Sequence, residues 1–197
     1  MLRYPTFSCG QRIGLYGGSF NPPHAGHLAV ARSALRRLGL HRVWWLVSPQ
    51  NPLKPRDGTA DYEERLNQTR ALANHPHMVV TDIEAQAGSA CTADTLEAMR
   101  PILEQGRFVW IMGADSFAEL HRWQRWRTIP DTVPLCIFDR PGSGLSARNC
   151  QAAELYEAAQ VPARNAALLP DMEAPAWSFI TWPLRPESST AIRNQVM

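Results

Sequence analysis

Two histidines three residues apart, His24 and His27, follow a glycine pair in the run Gly17-Gly18-Ser19-Phe20-Asn21-Pro22-Pro23-His24-Ala25-Gly26-His27-Leu28. At that spacing both imidazoles reach one side of a first helical turn. A helix opening near His24 or Ala25 aims unpaired amides and its positive dipole end at the same space. Two imidazoles beside a helix N-terminus suit an anion whose charge grows during reaction. Adjacent glycines let the backbone approach a ligand closely and take positive φ, and Gly26 leaves room between the rings for an incoming group. Each feature alone has a plain structural explanation, since a glycine pair is commonly a turn and a histidine at a helix start a solvated cap. Strand, Gly-Gly, His-x-Gly-His and amphipathic helix in succession favour a phosphate site. The loop is neither the G-x-G-x-x-G dinucleotide fingerprint nor a P-loop.

Other segments carry related chemistry. Ser188, Ser189 and Thr190 open an expected helix with Arg193 one turn on, which makes either a phosphate grip or a simple cap with a solvated arginine. Phe108–Met112 leads into Gly113-Ala114-Asp115-Ser116, where the glycine can admit a base and the carboxylate can accept ribose hydroxyls, or cap a helix. Leu120–Arg127 interleaves Trp123 and Trp126 with arginines. A short isolated patch of this kind suits stacking on one aromatic ring better than binding single-stranded nucleic acid, and Trp126 can equally pack in the core.

These residues must be positioned by regular elements. Six apolar runs of strand length occur at Arg12–Tyr16, Val43–Val47, Met78–Thr81, Phe108–Met112, Leu135–Phe138 and Ser178–Thr181. The middle ones are apolar at consecutive positions, as in a sheet covered on both faces. Leu28, Ala31, Leu35 and Leu38 repeat at helical spacing, with Gly39 as a stop. Further helices are expected over Asp61–Ala73 and Thr92–Leu103, the latter kinked or shortened by Pro101. Segments 48–58 and 141–146 read as surface loops. The alternation predicts a Rossmann-like α/β fold: a doubly wound parallel sheet, helices on both faces, in a single domain over residues 1–197. Residues 1–11 are expected to form a flexible extension. Ligands in such sheets sit beyond the carboxyl ends of the strands, where the residues above lie.

Composition narrows the class. The 197 residues are 45% hydrophobic and 19% charged, with 20 basic and 18 acidic side chains. Disorder is therefore not expected, and a net charge of +2 gives no global attraction to nucleic acid or an anionic membrane. No apolar run nears the roughly 20 residues of a membrane span, and Met1–Thr6 lacks a signal-peptide stretch. Cys9, Cys91, Cys136 and Cys150 show neither disulfide pairing nor metal-ligand spacing. A reduced cytoplasmic protein without a protein-held metal is expected.

The run Gly17–Leu28 resembles the signature of the HxGH nucleotidyltransferase superfamily, which transfers a nucleoside monophosphate from a triphosphate to an acceptor. The resemblance implies that Gly17, Gly18, Ser19 and Phe20 lie against ATP and that His24 and His27 contact its phosphates. Ser188–Arg193 resembles the superfamily's I-S-S-T-x-I-R segment, with Glu187 in an apolar place, which adds Ser188, Ser189, Thr190 and Arg193 to the ATP set alongside Gly113 and Asp115. Gly113-x-Asp115-Ser116, Trp123-x-x-Trp126 and Ile129 look like the bacterial nicotinate-nucleotide adenylyltransferases. So does Ser89–Leu96, similar to S-x-Y-T-x-D-T-L with Cys91 in the aromatic place. Ser48–Lys54 resembles P-x-x-P-H-K with Leu53 at the histidine, and Ile137–Gly142 resembles an R-P-G turn.

The resemblance implies that nicotinate mononucleotide is held by Lys54, Thr92, Asp94, Trp123 and Arg140. It implies adenylyl transfer from ATP, with Mg²⁺ carried mainly on the triphosphate, giving deamido-NAD and pyrophosphate in NAD biosynthesis. Nicotinamide mononucleotide and phosphopantetheine are the alternative acceptors. A non-catalytic nucleotide- or RNA-binding module is the alternative of another class. Oligomeric state is left open.

Overall fold

The computed structural model describes residues 2–49, 60–89 and 91–183, together with 187, 189, 192 and 193. Among these residues six strands form one parallel sheet: β1 (Arg12–Gly18), β2 (Arg42–Val47), β3 (Met78–Thr81), β4 (Arg107–Gly113), β5 (Leu135–Phe138) and β6 (Trp177–Ile180). Their order is β3-β2-β1-β4-β5-β6, and every neighbouring pair is parallel. The strands coincide with the six apolar runs to within one or two residues at each end.

Alternation along each strand feeds two cores. Ile13, Leu15, Trp44, Leu46, Phe108, Trp110 and Met112 face one layer, which also takes Ala93, Leu96, Met99 and Ile102 from α4 (Thr92–Leu103). Tyr16, Val43, Trp45, Val47, Val109 and Ile111 face the other, with Val30, Ala31, Ala34 and Leu38 at α1 (Ala25–Arg37) and Leu66 of α2 (Tyr62–Leu72). Helices therefore cover both faces, which explains why the strands lack a polar side. Gly39, at φ 59°, supplies the left-handed turn that ends α1. Asp61 caps α2, accepting from the Glu63 and Glu64 amides.

Three differences from expectation have physical causes. Pro101 does not cut α4 short: it lies in the last turn, and the helix continues to Leu103. Segment 141–146 is not all loop, because α7 (Gly144–Arg148) starts within it. Other short elements gave no sequence signal, namely α3 (Ile83–Gln86), α6 (Thr128–Thr132) and α8 (Gln151–Leu155), while α5 (Ala114–Ala118) was signalled only by Asp115 as a possible cap and instead starts one residue ahead of it. Four or five residues are too few to display helical periodicity. Ahead of β1, the Phe7 ring packs edge-on against Trp44 and Phe108, and Arg42 donates to the Thr6 carbonyl. Among the described residues, no helix is long and apolar enough to cross a membrane.

Candidate active site

Chain order reverses between β1 and β4, so a crevice opens beyond their carboxyl ends. The turn from β1 into α1 lines it. His24 is the N-cap of α1: its Nδ1 accepts from the Gly26 amide at 3.1 Å, while His27 Nδ1 accepts from the His24 amide at 3.2 Å. The two rings lie 3.8 Å apart between centroids. In a neutral imidazole, an Nδ1 that accepts leaves the proton on Nε2. Burial, and then the positive charge of Arg140, lowers the His24 pKa to about 4. His24 is therefore a neutral donor near pH 7, and its Nε2 is buried without a hydrogen-bond partner among the described residues.

The glycines act differently from the sequence reading. Neither Gly17 nor Gly18 takes positive φ; both end β1 in extended form. A Cβ on Gly17 would lie 2.5 Å from the Trp110 ring, so this glycine makes way for the core. The left-handed residue is Phe20 (φ 44°), a conformation that side chains other than glycine seldom adopt. Its ring is buried against Tyr16, His27 and Trp45, so only the Phe20 backbone is left to face a ligand. Gly26 leaves space for a neighbouring ring rather than an incoming group, since a Cβ there would lie 2.9 Å from His24.

Gly113 caps α5, and a Cβ on it would lie 2.4 Å from Asp115 Oδ1 and 2.8 Å from Arg140 Cδ. Its absence allows the Asp115–Arg140 ion pair, at 3.2 Å. Arg140 thus sits with the His24 group rather than with α4. The C-terminal segment joins the same turn: Ser189 Oγ donates to the Pro22 carbonyl at 3.0 Å, and Arg193 donates to the Asn21 carbonyl. Lys54, Ser188 and Thr190 lie outside the described residues.

A second cluster surrounds the start of α4. Thr92 is its first residue, and among the described residues no side chain caps the helix at Cys91. Asp94 accepts from Ser89 Oγ and from Arg125, both at 2.8 Å, and Arg125 also reaches Glu97 at 2.7 Å. Arg125 itself is left-handed (φ 53°), and the Cys91 thiol donates to the Gln124 carbonyl. These links bring the half-buried Trp123 segment to the α4 N-terminus. Asp94 is occupied in holding that segment.

Two residues escaped the sequence reading. Arg65, on the buried face of α2, is 1% exposed. Glu84, in α3, is 4% exposed, and burial raises its carboxyl to about pKa 8 although a bond to the Ser48 side chain opposes the rise. The available signal for Arg65 was a polar residue at a core position next to Leu66. A lone glutamate in a four-residue helix offered none.

A model of the family described as cytidylyltransferase-like matches residues 15–195. Over 190 residues the chain is 50% identical to a protein of Ruegeria pomeroyi named probable nicotinate-nucleotide adenylyltransferase, covering 96% of this chain and 89% of that one. A protein of the same name from Parvibaculum lavamentivorans is 48% identical over 195 residues, 99% of this chain and 97% of the other. Among solved structures, the nicotinic acid mononucleotide adenylyltransferase of Plasmodium falciparum complexed with NaAD superposes with a TM-score of 0.69 at 17% identity, covering 93% of this chain and 83% of that one. That likeness is one of fold.

Proposed function

Because the chain belongs to the cytidylyltransferase-like family, and within it to the nicotinate-nucleotide adenylyltransferases, we propose that it transfers the adenylyl group of ATP to nicotinate mononucleotide. The products are deamido-NAD and pyrophosphate, a step of NAD biosynthesis. The observation that carries this reading is the His24–His27 pair at the β1–β4 switch point, with a buried His24 Nε2 left without a partner among the described residues.

The 5′-phosphate of the acceptor attacks the α-phosphorus of ATP in line, and pyrophosphate leaves from the opposite side. The attacking oxygen is already anionic, so no general base is required, and catalysis rests on positioning and charge stabilisation. His24 and His27 donate from Nε2 to phosphate oxygens whose charge grows. Both rings are held by their Nδ1 bonds to backbone amides, so they need little reorganisation. Gly17 to Phe20 present backbone to the triphosphate, and Gly113 and Asp115 receive the adenosine end. Arg140, beside His24, neutralises phosphate where the substrates meet. Ser188, Ser189, Thr190 and Arg193 close the ATP side, and Lys54 adds a cation from the loop after β2.

The acceptor's ring belongs at the second cluster. Among the described residues no side chain caps the first-turn amides of α4, which carry the positive helix end and suit the nicotinate carboxylate. Thr92 lies among them, Trp123 stacks on the pyridine ring, and Asp94 holds that segment in place through Arg125. Magnesium is read as an ion carried by the nucleotide rather than by a dedicated set of protein ligands. Bound there, it would offset triphosphate charge through oxygen ligands.

A pyrophosphate-release assay with ATP and Mg²⁺ tests this, with nicotinate mononucleotide, nicotinamide mononucleotide and phosphopantetheine as acceptors. Release is expected to be fastest with nicotinate mononucleotide. A preference for either of the others would reassign the α4 cluster. No release with any acceptor, alongside salt-sensitive RNA binding, would support a binding module instead.

A further inference from the structure

Arg65 lies 1% exposed beneath the turn after β1 and the exit of β2, its guanidinium is over the Tyr62 ring, and among the described residues it donates to backbone carbonyls. Nη1 reaches Ser19 at 2.6 Å and Ser48 at 2.8 Å, Nη2 reaches Pro49 at 2.8 Å, and Nε reaches Ala60 at 3.1 Å. One side chain thus joins the turn after β1, the exit of β2 and the approach to α2. No carboxylate pairs with it among the described residues. Burying a cation against neutral acceptors is costly, and burial lowers its pKa accordingly.

The Ser19 bond has a directional consequence. The Ser19–Phe20 peptide is trans, so its carbonyl and N–H point in opposite directions. With the Ser19 oxygen drawn inward to Arg65, the Phe20 N–H faces away from it. That amide donates to no backbone carbonyl among the described residues, and Phe20 is the left-handed residue of the turn.

We propose that Arg65 is a positioning residue for nucleotide binding: by holding the Ser19 carbonyl inward it fixes the Phe20 amide as a donor to the triphosphate. This rests on the adenylyl-transfer reading. An ammonium cannot reproduce the planar fork that spans these carbonyls, so the conservative variant is informative.

The test compares Arg65→Lys and Arg65→Met with the parent. In both, kcat/KM for ATP is expected to fall by about 10- to 100-fold, the scale of one charge-assisted hydrogen bond. The dissociation constant for nicotinate mononucleotide, measured by calorimetry, is expected to stay within a few-fold. General unfolding would weaken both substrates together. Folded variants with kcat/KM for ATP near the parent value, or with both substrates weakened alike, would overturn the proposal. A second measurement needs no variant: in amide NMR spectra of the parent, a non-hydrolysable ATP analogue should shift the Phe20 resonance. A saturated complex in which that resonance does not move would also overturn the proposal. Failure of the parent to release pyrophosphate is a separate result, and counts against the adenylyl-transfer reading itself.

Discussion

His24 combines a cap and a donor in one ring. Its Nδ1 closes the helix start, which leaves Nε2 as the donor, and burial keeps the ring neutral. Stability tied to this group is complete above its ordinary pKa of 6.5 and is lost as pH falls toward about 4. Nitrogen-15 NMR of histidine-labelled protein is expected to show His24 as the neutral Nε2–H form at pH 6, and a protonated ring there would contradict the assignment. Glu84 behaves in the opposite sense. Its carboxyl is held protonated in the fold, so its contribution is complete below about pH 4.5, declines as pH rises to about 8, and is flat beyond. The unfolding midpoint of the parent should therefore fall more steeply between pH 5 and pH 8 than that of Glu84→Gln. Parallel curves would mean that Glu84 ionises at its ordinary value. The histidine pair was readable because type and spacing alone mark it. The duties of Gly17 and Gly26 were not, because they depend on Trp110 and on a folded-back ring.

At the scale of elements, the start of α4 and the segment from Trp123 to Arg125 act as a unit. The Arg125–Asp94 and Arg125–Glu97 pairs are largely exposed, and solvent screening leaves such pairs little weight in stability. Their value therefore lies in placing Trp123 rather than in stabilising the fold. Arg125→Ala is expected to raise KM for nicotinate mononucleotide several-fold and leave KM for ATP unchanged, with little effect on the unfolding midpoint. Trp123→Ala should show the same asymmetry more strongly, since it removes the ring itself. Equal losses for both substrates in steady-state kinetics would detach this unit from the acceptor. Long helices such as α1 and α4 were legible from repeating apolar positions. Their linkage to the Trp123 segment was not, because it runs through a left-handed arginine and ion pairs distant in sequence.

At the scale of the molecule, strand runs and helical spacing sufficed for a parallel sheet with two covered faces. Strand order did not follow from them, since nothing local says that β4 returns beside β1. That return creates the crevice, and it leaves the opposite end of the sheet free for purely structural work. There, Asp171 pairs with Arg12 at the start of β1, at 2.5 Å, and with Arg107 at the start of β4. Each group is partly exposed, so the cluster is worth only about 1 kcal/mol. Asp171→Ala is expected to lower the unfolding midpoint by about 2–4 °C and to leave kcat unchanged. A large loss of kcat would show that the two ends of the sheet are coupled.

The central claim is that the paired imidazoles stabilise charge on the triphosphate, and His24→Asn tests it most directly. Asparagine keeps a capping acceptor for α1 but withdraws the Nε2–H donor. At saturating ATP and nicotinate mononucleotide, the rate of pyrophosphate release is expected to fall by about 10²–10³, the cost of one lost donor to a developing oxyanion, with acceptor affinity retained. A rate within a few-fold of the parent, in a variant that still binds both substrates, would contradict the claim.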